Sequence, residues 1–273
     1  MNNLLLIIKG AFIGIGGILP GVSGGVLCAI FGLYQPIIEV LSDPFKNLKK
    51  HIRLIIPVGT GVVIGFIGFA GMVNAFMKAN ATVAICVFVG LIVGMLPDMW
   101  RDAGREGRSK GDLGAMAASM VLFLILLWYL QNGMALTVVP NTGWYIFCGV
   151  AWGLSIIVPG LSSSSMLIFF GLYQPMLEGL STLNMSVVIP LIIGGAGVVF
   201  TLSKALNYFF STYYSLANHI IFGIVIANTL MIIPTDLSGA GAVLAAAVSI
   251  ILGAAGGICL NKLFAVIAKT KNK

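Results

Sequence analysis

The 273 residues are 59% apolar and only 8% charged, with a mean hydropathy of +1.07 and a net charge of +7. A soluble domain carries roughly a quarter charged residues, so a water-soluble globular fold is excluded and lipid must solvate much of the surface. In such a chain the positive balance points to cytoplasmic loops and anionic lipid headgroups, not to nucleic acid.

In chain order, Met1-Asn2-Asn3-Leu4 lacks a basic leader, Lys9 interrupts the apolar run and no clean small-x-small cleavage site follows. This segment is expected to be retained. A first repeat over 1–134 is expected to hold a hairpin with arms at 4–19 and 23–41, then spans at 54–77, 81–97 and 113–130. A second repeat over 135–273 has arms at 142–158 and 162–180, then spans at 187–209, 215–233 and 239–262. A helix needs roughly 20 apolar residues to cross a ~30 Å hydrocarbon core, and the first arm of each pair is short for that. Pro20 and Pro159 push the preceding residue out of helical geometry. Each pair therefore reads as a re-entrant hairpin, with two short tilted spans as the alternative.

The duplication is carried by residues 20–41 (PGVSGGVLCAIFGLYQPIIEVL) and 159–180 (PGLSSSSMLIFFGLYQPMLEGL), identical at 11 of 22 aligned positions. Weaker matches continue through Gly59 to Val63 against Gly195 to Val199, and Phe88 to Val93 against Ile221 to Ile226. Counting crossings puts fourteen of the fifteen Lys and Arg residues at or near one side, Lys78 being the exception. The positive-inside rule makes that side, with both termini, cytoplasmic. Three crossings plus a hairpin is an odd number, so the halves must be inverted and their hairpin tips meet near the midplane. The expected fold is an all-α integral membrane protein of two inverted-topology repeats, each a re-entrant or short broken helical hairpin plus three transmembrane helices.

The turns carry the candidate chemistry. Ser23 and Ser162 fall where an N-cap belongs, at the positive, donor-rich start of the second arm. Gly24 and Gly25 leave the backbone open to an approaching oxygen, and Ser163, Ser164 and Ser165 offer hydroxyls in their place. Two opposed donor-rich ends suit a phosphate. The same residues would also make a tight turn in a membrane. Lys9 either snorkels or extends toward the anion. Lys204 is expected to snorkel, with gating as the alternative. The equivalent residues Glu39 and Glu178 are solvated, or serve coupling to protons or sodium. The Tyr-Gln-Pro runs at 34–36 and 173–175 are expected to shape helices. Asp98, Asp102, Glu106 and Asp112, interleaved with basic residues, read as a solvated face. Cys28, Cys86, Cys148 and Cys259 lack C-x-x-C spacing and read as small buried side chains. No metal-site spacing, catalytic set or cofactor loop stands out.

Two enzyme classes compete. Gly21-Val22-Ser23-Gly24, with His219 as base, spells a rhomboid-like intramembrane serine protease motif. Pro159-Gly160-Leu161-Ser162-Ser163-Ser164 faintly resembles the serine loop of membrane pyrophosphate phosphatases. That chemistry wants acidic residues, histidine and arginine around the phosphates, and neither turn contains them.

Lys9-Gly10, Pro20-Gly21-Val22-Ser23-Gly24-Gly25, Gly32-Leu33-Tyr34, Phe88-Val89-Gly90-Leu91, Pro159-Gly160-Leu161-Ser162, Gly171-Leu172-Tyr173 and Ser203-Lys204 together resemble the PopT-type polyprenyl-phosphate transporters. Val26 stands where that family usually has threonine, Ser163 where it has glycine, and Gln35 and Gln174 where an acidic residue often follows. The resemblance implies a bacterial cytoplasmic-membrane translocase that returns undecaprenyl phosphate from the outer to the inner leaflet for cell-envelope synthesis. It carries Ser23, Gly24, Gly25, Ser162 and Ser164 over as headgroup positions. The expected partners are the lipid phosphate and bilayer lipids, and an oligomer is compatible with the sequence.

Overall fold

The computed structural model describes residues 3–20, 22, 24–31, 33, 36–37, 39–40, 44–132, 138–157, 163–235 and 237–270. Regular structure among them is helical throughout. The first half contains α1 (Asn3–Ile18), α2 (Gly24–Ile30), α3 (Pro44–Ala79), α4 (Ala81–Ala103) and α5 (Lys110–Asn132). The second contains α6 (Thr142–Ile157), α7 (Ser163–Phe169), α8 (Tyr173–Ser181), α9 (Met185–Thr212), α10 (Tyr214–Ile232) and α11 (Ala240–Thr270). Helices α3, α4, α5, α9, α10 and α11 each hold a run long and apolar enough to cross a membrane. Helices α1 and α6 are apolar but only 16 residues long.

Local chemistry starts these helices. Asn80 Oδ1 accepts from the Val83 amide at 3.0 Å to cap α4, and Asn184 Oδ1 accepts from Ser186 at 3.0 Å to cap α9. Helix α5 opens on a reciprocal capping box: the Asp112 amide donates to Ser109 Oγ at 3.1 Å, and the Ser109 amide donates to Asp112 Oδ2 at 2.8 Å. Two of the acidic residues expected to form a solvated face, Asp98 and Asp112, thus have partners. Asp98 pairs with Arg101, while Arg108 lies over the Trp100 ring at 4.0 Å and donates to the Trp100 carbonyl at 2.5 Å.

The hairpin's second arm in the second half is not one continuous helix. Helix α7 ends in a Schellman motif: the Leu172 amide donates to the Leu167 carbonyl at 2.9 Å and the Gly171 amide to Ile168 at 3.0 Å, with Gly171 at φ +67°. The first half repeats the key bond, Leu33 amide to Cys28 carbonyl at 2.8 Å. Gly171-Leu172-Tyr173 is therefore a helix stop as well as a repeat marker.

Packing follows a matched pattern. Helix α1 packs chiefly on α3, and α6 on α9, each within one half. Helix α4 packs on α11, and α10 on α5, each across the halves. Exchanging the halves maps this pattern onto itself. Glycines make the seams: a Cβ on Gly90 would collide with the Ile250 carbonyl, and one on Gly253 with the Val87 carbonyl. Between apolar helices in lipid, such close approach replaces the hydrophobic drive that water would supply. Cys28, Cys86 and Cys148 are buried as expected, but Cys259 is exposed. It lies on α11, a peripheral helix that also exposes Leu244, Ile251 and Leu252.

Candidate functional site

The two hairpins touch through described residues that flank their turns. Helix α1 ends at Ile18, and the last carbonyls of a helix have no partner within it. Residues of the second half supply the partners. Ser164 Oγ donates to the Ile18 carbonyl at 3.1 Å, Tyr173 donates its hydroxyl to the same oxygen at 2.7 Å, and Trp152 Nε1 donates to Gly17 at 3.2 Å. Ile18 and Tyr173 are 0% and 1% exposed, so these bonds lie where water does not compete. Close approach is aided by Gly17, whose missing side chain leaves room for the Trp152 ring. Tyr173 thus ties α1 to the second half.

Ser163, Ser164 and Ser165 are all buried at the start of α7. Ser163 Oγ donates to Ser155 Oγ at 3.3 Å, and Ser155 Oγ donates to the Trp152 carbonyl at 2.8 Å. Ser163 and Ser165 line a cavity of about 40 Å³ together with Asn228 of α10. Asn228, Trp152 and Ser155 did not figure in the sequence analysis. Each is a polar or amphipathic residue in an otherwise apolar run, which is the signal that was there to find. On the first half's side, Gly25 is buried in α2, and a Cβ on Gly24 would stand 3.2 Å from the Ile13 carbonyl of α1. Ser23 and Ser162 lie outside the described residues.

The remaining candidates belong to other parts of the fold. Lys9 is nine residues before Ile18, about 14 Å along α1, and its ammonium is 6.0 Å from the Phe31 ring centroid. Lys204 belongs to α9, and its side chain lies outside the described set. The equivalent glutamates engage opposite ends of one helix, α3. Glu39 Oε2 accepts from Lys50 at 2.9 Å and from His51 at 2.8 Å. Glu178 Oε1 accepts from Lys78 at 2.6 Å. The Lys50 hydrogen bond, followed by that from His51, holds the Glu39 carboxyl below its ordinary range. Lys50 and Lys78 are about 42 Å apart along a continuous helix, more than the ~30 Å hydrocarbon core.

His219 is fully buried on α10, its Nδ1 2.7 Å from the Ser215 carbonyl and its ring 5.6 Å from Trp100. It is nine residues from Asn228, about 14 Å along the helix axis. The imidazole is therefore far from the second turn's serines.

A model of the undecaprenyl phosphate translocase-like family matches residues 1–112 and 108–249. The polyprenyl-phosphate transporter of Staphylococcus aureus is 24% identical over 241 residues, covering 84% of this chain and 85% of its own. The polyprenyl-phosphate transporter of Vibrio cholerae is 22% identical over 236 residues, covering 78% of this chain and 72% of its own. No solved structure matches.

Proposed function

We infer that this chain, which belongs to the undecaprenyl phosphate translocase-like family, is a multi-pass membrane transporter of a polyprenyl phosphate. The family match, spanning both halves, carries this reading, and two transporters of that name align over most of the chain. The finer reading is return of undecaprenyl phosphate from the outer to the inner leaflet of the bacterial cytoplasmic membrane, with both termini cytoplasmic. The phosphate would cross beside the turns while the isoprenoid tail stays in the bilayer. An internal polar path lowers the cost of taking a charge through hydrocarbon, which is otherwise several kcal/mol or more.

Three observations support alternating access by inverted repeats. The hairpins meet at Ser164 and Ile18. The helix pairing survives exchange of the halves. The equivalent glutamates hold opposite ends of α3. In this mechanism the Glu39 and Glu178 ion pairs are breakable ties between each hairpin and α3. Being half-exposed, they are worth little to stability, which suits contacts that open and re-form.

Depletion in cells lacking other such transporters tests the function. Undecaprenyl phosphate exposed on the outer leaflet is expected to accumulate, and an unchanged level would overturn the reading. Release of inorganic phosphate from undecaprenyl pyrophosphate by the purified protein would show hydrolysis instead.

A further inference from the structure

The cavity beside the second turn lies between α5, α6, α7 and α10, with Ser163, Ser165 and Asn228 as its polar lining and apolar walls that include Phe123, Leu154 and Met166. Asn228 is only 4% exposed, and its Oδ1 has no hydrogen-bond partner among the described residues. Buried side-chain acceptors are rarely left this way without a ligand, ion or water. Ser163 spends its proton on Ser155 Oγ, so its own oxygen can act only as an acceptor. Leu154 places the cavity at the last turn of α6, where carbonyl groups concentrate negative partial charge.

We propose that this cavity is a binding site for a small monovalent cation, held by Asn228 Oδ1 and the hydroxyl oxygens of Ser163 and Ser165. Among the described residues no lysine, arginine or histidine lines it, which disfavours an anion. No described carboxylate lines it either, and divalent calcium and magnesium usually recruit carboxylates. A titrating side chain is likewise missing among the described lining residues, so none of them can carry a proton. The volume is large enough for a water-sized species. Neighbouring Ser164 holds the end of α1, so occupancy bears directly on how firmly the two hairpins stay together.

Sodium is the probe. The full chain in nanodiscs is titrated with sodium chloride against choline chloride at constant ionic strength. Unfolding midpoint and bound radiolabelled sodium are both read. Sodium is expected to raise the midpoint saturably where choline does not. Asn228→Ala is expected to abolish the rise and weaken sodium binding roughly tenfold or more, the scale seen when groups that support a metal are removed. Equal midpoints in the two salts, or a sodium response retained in Asn228→Ala, would mean that water alone fills the cavity and would overturn the proposal. Should that variant not fold, Asn228→Asp keeps an oxygen and adds charge. It is expected to bind sodium more tightly than the wild type, and an unchanged affinity would overturn the proposal equally. Sodium binding and lipid transport fail separately: a chain that binds sodium but moves no polyprenyl phosphate refutes the substrate, not the ion.

Discussion

At the scale of single residues, one carbonyl of the first half serves two donors of the second. The Ile18 oxygen accepts from both Ser164 and Tyr173. Removing either donor leaves the other in place, so Ser164→Ala and Tyr173→Phe should each cost no more than about 0.5–1.5 kcal/mol. The double variant leaves a buried acceptor unmet and should cost more than the sum of the two, by roughly 0.5 kcal/mol or more. Denaturant or thermal unfolding of all three variants checks this, and strict additivity would show that the donors act independently. Glu39 offers a pH test. Its carboxyl is held below the ordinary range by Lys50 and His51, so its contribution is present above the unfolded carboxylate pKa and is lost as pH falls through the folded one. The gap in unfolding midpoint between wild type and Glu39→Gln should be widest near neutrality and close in acid.

At the scale of elements, the seams between helices are built from glycine. A side chain at Gly253 would strike the Val87 carbonyl of α4, and backbone cannot give way as a flexible side chain can. Gly253→Leu is therefore expected to part α4 from α11 and destabilise the protein by about 1–3 kcal/mol or more. Gly241→Leu, on the same helix with open space around it, should have little effect. A midpoint difference between the two variants reads this directly. At the end of α7, Gly171 adopts φ +67°. Gly171→Ala should cost about 1 kcal/mol or more, because a Cβ is strained in the left-handed region. This stop was written in Gly171-Leu172-Tyr173, yet the surrounding apolar runs hid it. Hydrophobic periodicity does not register a single left-handed residue.

At the scale of the whole molecule, the helix pairs that cross between halves make each half incomplete without the other. The topology has a direct test. In a background stripped of native cysteines, Lys50→Cys and Lys78→Cys lie toward the two ends of α3 and should label from opposite sides of the membrane with an impermeant thiol reagent. Labelling from one side would refute the inverted arrangement.

Sequence by itself determined the class and the repeat. Composition alone decides between water and lipid as solvent, and a gapless internal match needs no coordinates to be seen. It also drew attention to Ser163, Ser164 and Ser165, because hydroxyls are conspicuous in an apolar run. Their individual tasks came only from the tertiary structure, where Ser164 holds the end of α1 and Ser163 and Ser165 border a cavity with Asn228. The physical reason is distance along the chain. A helix end satisfied by a residue 146 positions away, and a cavity lined by four separate helices, are set by packing that no local pattern records.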